Sequence, residues 1–194
     1  MDKGALQHLR ELAFKYRGGV WTALFVVILA LARPQPPRLA AGIALVIAGQ
    51  ALRCWGVGCI KRYRGEEVKA DELATWGPYA LVRNPLYVGN GLIGLGWAWI
   101  SGNVATIIFV VAFWALYDLL IVPHEEAFLR GKFGAQYEDY CTRVGRFFPK
   151  NFSRETLSHV RDGSYDASIL FKSEIHSLWV HIVGTALIVS RLWW

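Results

Sequence analysis

Two short polar stretches hold most of the side chains in this sequence that could bind a charged ligand or move a proton. The first is RNPLY, residues 83–87, and the second is PHEE, residues 123–126. The first offers the guanidinium of Arg83 to an anion, and the second offers the adjacent carboxylates of Glu125 and Glu126 as hydrogen-bond acceptors or as bases. The two stretches are far apart in the chain, so only the fold can bring them into one site.

Gly89, Gly91 and Gly94 follow the first stretch and spell G-x-G-x-x-G, a pattern of dinucleotide-binding loops. Such a loop needs a strand before the glycines and a helix that opens at them. Here the glycines lie inside an apolar segment that begins at Pro85, a residue suited to the first turn of a helix. We therefore expect them to allow close approach of a neighbouring helix or a ligand, and we expect a ligand at Gly89.

The composition is that of an integral membrane protein. Hydrophobic residues make up 54% of the 194 residues and charged residues 19%, whereas about a quarter of a soluble domain is charged. No run of Lys or Arg alternates with aromatic residues, which argues against a nucleic-acid partner despite the net charge of +6. Cys54, Cys59 and Cys141 have no metal-ligand spacing, so no metal site is expected.

Five apolar stretches are candidates for membrane-spanning helices. About 20 helical residues cross the hydrocarbon core; the second and fourth stretches are long enough, and the others need flanking residues. The stretches are residues 20–32, 39–60, 86–101, 104–122 and 177–194. The sequence thus predicts an all-α, polytopic membrane protein with about five transmembrane helices and a single domain over residues 1–194. His181 lies in the fifth stretch, which either spans the membrane or lies in its interface.

The distribution of Lys and Arg predicts which helix ends face the cytosol. Residues 1–19 contain four of them, residues 61–85 contain five, and residues 123–176 contain eight. Membrane proteins keep positive charge on the cytosolic side, so the amino terminus and both longer segments are expected there. Residues 2–17 mix apolar and basic side chains, which is typical of an amphipathic helix on the membrane surface.

The third and fourth apolar stretches should form a tight antiparallel hairpin, because only residues 101–103 join them. The cytosolic ends of the two helices then lie close together and bring the two polar stretches into one pocket. After the hairpin we expect a cytosolic catalytic segment, in which a helix begins at Pro123 and is broken at Gly131 or Gly134.

Arg53 and Asp118 lie within predicted spans, where an ionised side chain is costly and usually paired. Both lie near the cytosolic ends of their helices, so they could pair with each other. Arg53 could instead extend its guanidinium to the interface. Glu126 and Arg130 are four residues apart, a spacing that favours an ion pair on a helix surface.

The sequence resembles the membrane methyltransferases typified by isoprenylcysteine carboxyl methyltransferase, which are related to the phospholipid N-methyltransferases. RNPLYVG and PHEEAFLRGKFGAQYEDYCTRVGRFFP carry the resemblance, which covers about residues 76–149. The family patterns are Arg-His-Pro-x-Tyr-x-Gly and then Glu-Glu-x-x-Leu-x-x-x-Phe-Gly-x-x-Tyr-x-x-Tyr, ending in Arg-x-x-Pro. The residues in register with the second pattern are Glu125, Glu126, Leu129, Phe133, Gly134, Tyr137, Tyr140, Arg146 and Pro149. Residues 150–194 match no motif of the family and form an accessory segment.

The resemblance implies S-adenosylmethionine as the cofactor, bound at the cytosolic end of the hairpin, and a lipophilic or lipidated methyl acceptor. The residues implied at the cofactor are Tyr79, Arg83, Asn84, Pro85, Tyr87, Gly89, Glu125 and Glu126. Those expected to be catalytic are Glu126, Arg146 and Arg143: either arginine would orient a carboxylate acceptor, and Glu126 or Asp118 would serve as a base toward an amine. Asn84 replaces the usual histidine and cannot titrate near neutral pH, which excludes a ring base at that position.

Several alternatives stay open at this point. The acceptor could be the carboxylate of a prenylated cysteine, the amine of a phospholipid, or a thiol. An NADPH-dependent enzyme like the sterol reductases is a second enzyme class, although such enzymes have more spans, and a non-enzymatic membrane scaffold is a third reading. Residues 150–176 could form an interfacial helix or a lid, and the sequence specifies no oligomeric state.

Overall fold

The computed structural model describes residues 3–60 and 72–193, and within these ranges the chain is helical. Its α-helices are α1 (Lys3–Lys15), α2 (Arg17–Leu31), α3 (Pro36–Gly58), α4 (Pro85–Ser101), α5 (Asn103–Leu116), α6 (Val122–Phe133), α7 (Ala135–Arg143), α8 (Arg154–Arg161), α9 (Ser168–Ser173) and α10 (Ile175–Ser190). A 3₁₀ turn spans Gly77–Ala80, and a π turn spans Tyr117–Ile121. The described part of the chain contains no strand, which confirms the prediction of an all-α fold.

Several of these helices are long and apolar enough to cross a membrane. Pro36–Gly58 qualifies by length and composition, as does the continuous run Asn103–Phe133 that comprises α5, the π turn and α6. Gly4–Lys15 and Arg17–Leu31 form a third candidate if they count as one span bent by 71°, and α10 is apolar but shorter. The protein is therefore an integral membrane protein. The basic residues of 61–71, which contributed to the predicted orientation, lie outside the described residues.

Helices α3 and α4 pack against each other through glycines. A Cβ atom on Gly49 of α3 would lie 2.6 Å from the carbonyl oxygen of Gly89, and one on Gly96 of α4 would lie 2.5 Å from that of Gly42. Helices in lipid lack a hydrophobic driving force for association and depend on such close backbone contact. A Cβ on Gly89 itself would lie 2.6 Å from Arg53 Cγ, so Gly89 packs within the interface between α3 and α4.

The hairpin between α4 and α5 is as tight as the sequence predicted. Gly102 is the one residue between the two helices, and its φ of 119° lies in a region that glycine adopts without steric cost. The Arg38 guanidinium donates a hydrogen bond to Asn103 Oδ1 at 2.8 Å, and the Arg33 N–H donates one to Ser101 O at 3.0 Å. The connection between α2 and α3 is thereby fixed to the hairpin turn.

The helix predicted from Pro123 is α6, which begins at Val122, but the prediction missed that α6 continues α5 through the π turn. Proline has no N–H to bond the carbonyl four residues earlier, which is that of Leu119. The widened π turn accommodates this loss, and the Leu119 carbonyl instead accepts a hydrogen bond from Arg10 Nε at 3.2 Å. The continuous helix ends at Gly134, one of the two predicted break points, where φ is 51°.

Replacing Gly49 by leucine is expected to destabilise the protein, because the new side chain would overlap the α4 backbone at Gly89 and Ile93. Overpacking of this kind costs about 1–3 kcal/mol. Thermal unfolding of the purified protein in detergent would measure the change. Gly19→Ala is the matched control, because a Cβ there meets no atom within 4 Å; an equal loss of stability in both variants would contradict the prediction.

Candidate active site

Glu126 of α6 lies at the centre of a network of charged side chains, which we call the Glu126 cluster (Arg83, Asp118, Glu126 and Arg146). Its Oε1 accepts a hydrogen bond from Arg83 Nη2 at 2.8 Å, and its Oε2 accepts one from Arg146 Nη2 at 2.8 Å. Arg146 Nη1 also donates to Asp118 Oδ1 at 2.7 Å. Arg130, four residues after Glu126, lies 3.6 Å from it. The two polar stretches therefore converge as predicted, and Glu126 is only 1% exposed.

The charges in the cluster stabilise one another. Burial lowers the pKa of Arg83, but the hydrogen bond to Glu126 and its negative charge outweigh that effect, so the pKa lies above its ordinary value. The hydrogen bond to Glu126 also raises the pKa of Arg146, against the lowering effect of burial and with a further contribution from Asp118. Both guanidinium groups therefore stay charged, and neither can act as an acid or a base near neutral pH.

The two motif segments run side by side next to the cluster. The Arg83 N–H donates to Gly145 O at 2.8 Å, and the Asn84 N–H donates to Arg146 O at 3.2 Å. Asn84 Nδ2 donates to the same carbonyl oxygen at 3.3 Å. Asparagine at the family's histidine position thus has a bonding role here, since it ties the segment before α4 to the segment after α7.

Tyr79 and Pro85 lie on either side of Arg83 and Asn84 in the sequence and fix the position of the chain there. The Tyr140 hydroxyl of α7 donates to Tyr79 O at 2.7 Å, and burial raises the pKa of that hydroxyl well above its usual value, so it stays a donor. Pro85 is buried and begins α4. The direction of the first turn of α4 is thereby determined.

Tyr87 and Glu125 form a second link between α4 and α6. The Tyr87 hydroxyl donates to Glu125 Oε1 at 2.7 Å, and the two residues are 5% and 4% exposed. A carboxylate can only accept hydrogen bonds, so it fixes the direction of the hydroxyl and with it the position of the Tyr87 ring.

Arg143 does not join the cluster. It lies exposed on α7, where its Nη2 is 2.7 Å from Oδ2 of Asp139, four residues earlier on the same helix. Of the two arginines expected to be catalytic, the structure brings only Arg146 to Glu126. Asp118 pairs with Arg146, so the pairing with Arg53 that the sequence allowed does not form.

Arg53 belongs to a second polar network within the helix bundle. Its guanidinium contacts both carboxylate oxygens of Glu174, with Nη2–Oε1 at 2.7 Å and Nε–Oε2 at 3.1 Å, and Nη1 donates to Asn90 Oδ1. Gln50 Nε2 also donates to Glu174, at 3.2 Å, and Gln50 Oε1 lies 2.6 Å from His181 Nδ1. Residues of α3, α4 and α10 and the residue before α10 are joined in this way.

The sequence analysis did not assign Gln50, Asn90 or Glu174 to any site. The sequence nevertheless indicates a polar network inside the bundle. Gln50 and Arg53 are polar residues one turn apart in an apolar helix, and Asn90 interrupts the apolar third stretch. Polar groups at such depth find partners. The partner Glu174 has no comparable signal, since it precedes the last apolar stretch and lies 121 residues from Arg53 in sequence.

Two cavities meet at Arg53 and Asn90, which line both of them. The smaller, of about 200 Å³, is also lined by Arg17, Tyr87 and Glu174, and we call it the polar cavity. The larger, of about 560 Å³, is mainly apolar and lies between α2, α4, α5 and α10; we call it the apolar cavity. A further cavity of about 510 Å³ adjoins the Glu126 cluster, and its lining includes Arg83, Trp114, Asp118, Arg146 and Phe147.

Comparison with known proteins identifies the family. A sequence model described as phospholipid methyltransferase matches residues 37–136, slightly more than half of the chain. The chain belongs to the phospholipid methyltransferase family. Methyl transfer is thus its reaction class, and the resemblance carried by the motifs is confirmed. No solved structure matches the chain significantly.

Two metal-resistance proteins are among the proteins to which this chain is similar. The nickel-cobalt-cadmium resistance protein NccN of Alcaligenes xylosoxydans xylosoxydans is 29% identical over 192 residues, which cover 92% of this chain and 83% of that protein. The cobalt-zinc-cadmium resistance protein CzcN of Cupriavidus metallidurans is 30% identical over 159 residues, 76% of this chain and 70% of that protein. A probable protein-S-isoprenylcysteine O-methyltransferase of Oryza sativa subsp. indica is 31% identical over 114 residues, 56% of this chain and 59% of that protein.

Glu126→Gln is expected to lower the free energy of unfolding by about 3–5 kcal/mol, because it leaves the buried Arg83 guanidinium without a counter-charge. Urea unfolding in detergent would measure this loss. Glu138→Gln is the control: Glu138 also contacts an arginine, Arg130, but its side chain is 60% exposed, and exposed pairs contribute about 0–1 kcal/mol. Similar losses for the two variants would show that the Glu126 cluster is not what holds the segments together.

Proposed function

We propose that this phospholipid methyltransferase family member transfers a methyl group from S-adenosylmethionine to a lipophilic acceptor at the cytosolic side of the membrane. The observation that carries the proposal is the shared boundary of the polar and apolar cavities at Arg53 and Asn90. A polar methyl donor and an apolar acceptor can reach that boundary from opposite environments. Holding two reactants at one point is the main requirement of a bimolecular transfer.

The residues of the polar cavity fit the charges of S-adenosylmethionine. Arg17 and Arg53 offer guanidinium groups to its carboxylate, and Glu174 offers a carboxylate to its ammonium group. The ring of Tyr87 lines the same cavity and suits a neighbouring cation. When bound, the cofactor supplies a methyl group carried on a positively charged sulfur.

The motif residues then have two different tasks. Tyr87 lines the polar cavity, and Glu125 fixes its hydroxyl. We assign Arg83, Asn84 and Glu126 the task of holding the two motif segments together, so that Tyr87 and Glu125 keep their positions. Arg146 contributes to the same task through Glu126, and Tyr79 and Pro85 do so through the start of α4.

Asn90 is the residue best placed to align an acceptor. Its Oδ1 accepts a hydrogen bond from Arg53, and its Nδ2 donates to the Tyr117 hydroxyl at 2.9 Å. Trp21 Nε1 donates to the same hydroxyl at 2.7 Å. Both ends of the amide are therefore fixed between the cavities. Displacement at a methyl carbon depends on such alignment and on the exclusion of water more than on covalent chemistry by the protein.

We further propose that α2, α3, α4, α5 and α10 all cross the membrane and that α6 and α7 lie on the cytosolic side as the catalytic segment. The excess of Lys and Arg in residues 1–19 and 123–176 supports this orientation. Residues 76–149 would then form the catalytic core of a single domain, with a membrane lipid or a lipidated molecule as acceptor.

S-adenosylhomocysteine is expected to bind the purified protein in detergent, with heat released on calorimetric titration, and NADPH is expected not to bind. This product of the methyl transfer retains the carboxylate, the ammonium group and the ribose that the polar cavity would contact. Absence of heat with S-adenosylhomocysteine would refute the proposed function, and heat with NADPH alone would favour a reductase.

Tyr87→Phe is expected to weaken S-adenosylhomocysteine binding about tenfold, because the buried Glu125 loses its hydrogen bond and the ring loses its fixed position. The same titration measures the effect. Tyr165→Phe removes a hydroxyl from a residue that is 52% exposed and does not line the polar cavity, and it should leave the dissociation constant unchanged. Equal dissociation constants for wild type and Tyr87→Phe would remove Tyr87 from the cofactor site.

A further inference from the structure

One histidine, His181, lines the apolar cavity and has no role in the alignment of donor and acceptor proposed above. The cavity is lined by rings and aliphatic side chains such as those of Phe25, Ile93 and Trp97, and His181 of α10 lies in its wall together with Arg53. Its volume of about 560 Å³ falls in the range of small-molecule sites, which combine an apolar lining with a few placed polar groups. His181 and Arg53 are such groups.

The ring of His181 is held in one orientation by an ordered chain of hydrogen bonds. Gln50 donates through Nε2 to Glu174 Oε2 at 3.2 Å, and this carboxylate can only accept. The amide of Gln50 therefore presents Oε1 to His181, 2.6 Å from Nδ1. An amide oxygen can only accept a hydrogen bond, so Nδ1 carries the hydrogen and donates it. Arg53 fixes Glu174 in turn through two hydrogen bonds.

This orientation leaves Nε2 as the ring nitrogen with a lone pair. Nε2 makes no hydrogen bond with any residue of 3–60 or 72–193, and the His181 side chain lines the apolar cavity. An imidazole held by an amide, which a carboxylate orients in turn, with its other nitrogen at a substrate cavity, is the arrangement of a general base. The fixed direction distinguishes it from a histidine that only fills space.

We propose that His181 Nε2 is the catalytic base for the methyl acceptor and that the acceptor is an apolar thiol. This inference rests on the proposed function. A carboxylate acceptor is already ionised near neutral pH and needs no base, whereas a thiol must lose its proton to become nucleophilic. An amine is cationic near neutral pH and would lose far more hydration than a neutral thiol on entering the mainly apolar cavity, which argues against an amine. Gln50 and Glu174 are positioning residues that act through His181.

The S–H bond of the acceptor breaks, and its proton passes to Nε2 of His181, while the sulfur lone pair forms a new bond to the methyl carbon. The bond between that carbon and the donor sulfur breaks, and its electron pair stays on the donor sulfur. The products are a methyl thioether, the neutral donor thioether and an imidazolium, which then releases its proton to water.

Methyl transfer to a matched set of single-chain probes would test the proposal with the full-length protein in lipid nanodiscs. The probes are 1-dodecanethiol, dodecylamine, dodecanoate and 4-dodecylbenzenethiol, an aromatic thiol that ionises near neutral pH. We expect 1-dodecanethiol to react at least tenfold faster than the amine and the carboxylate. His181→Gln should lower kcat for 1-dodecanethiol by about 10²–10⁴-fold, with KM and S-adenosylhomocysteine affinity within about threefold of wild type.

The aromatic thiol separates a base from a structural role. It needs no base, so His181→Gln should reduce its kcat less than about threefold. Equal losses for the two thiols, or faster methylation of the carboxylate or amine, would overturn the proposal. His176→Gln, at the exposed histidine of the same helix, is the control and should behave as wild type.

The ring nitrogens offer a readout that does not depend on activity. Histidine-selective ¹⁵N labelling, with His181→Gln to assign the signal among the five histidines, should show Nδ1 protonated and Nε2 unprotonated at neutral pH. A protonated Nε2 in a neutral ring would overturn the proposal. If S-adenosylhomocysteine binds and no thiol probe is methylated, the thiol inference fails; if S-adenosylhomocysteine does not bind, the proposed function fails.

Discussion

The carboxylate of Glu126 between Arg83 and Arg146 is the interaction on which the rest of the site depends. A buried carboxylate is tolerated only with counter-charges and hydrogen bonds in good geometry, and the two guanidinium groups come from segments on opposite sides of the hairpin. Satisfying Glu126 therefore forces the chain before α4 to lie beside the chain after α7. The backbone hydrogen bonds of Arg83 and Asn84 follow from that placement, and so does the approach of Tyr87 to Glu125.

The glycine contacts between α3 and α4 impose the second constraint. Because the two backbones approach closely at Gly49 and Gly89, Arg53 is brought alongside Asn90, and the two residues form a polar boundary inside an apolar bundle. A larger side chain at either glycine would move that boundary. The glycines that look like a nucleotide loop in the sequence thus influence the site through helix packing, by positioning the charged groups that line the cavities.

The hairpin and the convergence of the two polar stretches could be predicted from the sequence, because a short turn between apolar stretches leaves the helix ends no other arrangement. The same local reasoning gave Gly134 as one of two candidate break points, with Gly131 as the other. The continuity of α5 with α6 was not predicted from Pro123, because the π turn accommodates the missing N–H of the proline and the helix continues. The partner of Arg53 could not be found, because nothing local to Glu174 indicates a residue 121 positions away. Pairings between residues distant in the sequence are set by three-dimensional packing, and local sequence patterns carry no information about them.

The pairing of Arg53 with Glu174 also makes the carboxyl-terminal segment part of the polar network inside the helix bundle. Arg53 lies within the residues that the family's sequence model matches, but Glu174 and His181 lie beyond them. A guanidinium at this depth cannot be left without a counter-charge, so the matched core is electrostatically incomplete by itself and requires the segment that follows. The NccN similarity leaves out less than a tenth of the chain and therefore reaches into this segment. The segment that supplies the counter-charge of Arg53 also places His181 in the wall of the apolar cavity. Differences in acceptor chemistry within this family are therefore best sought in α10 and the residue before it.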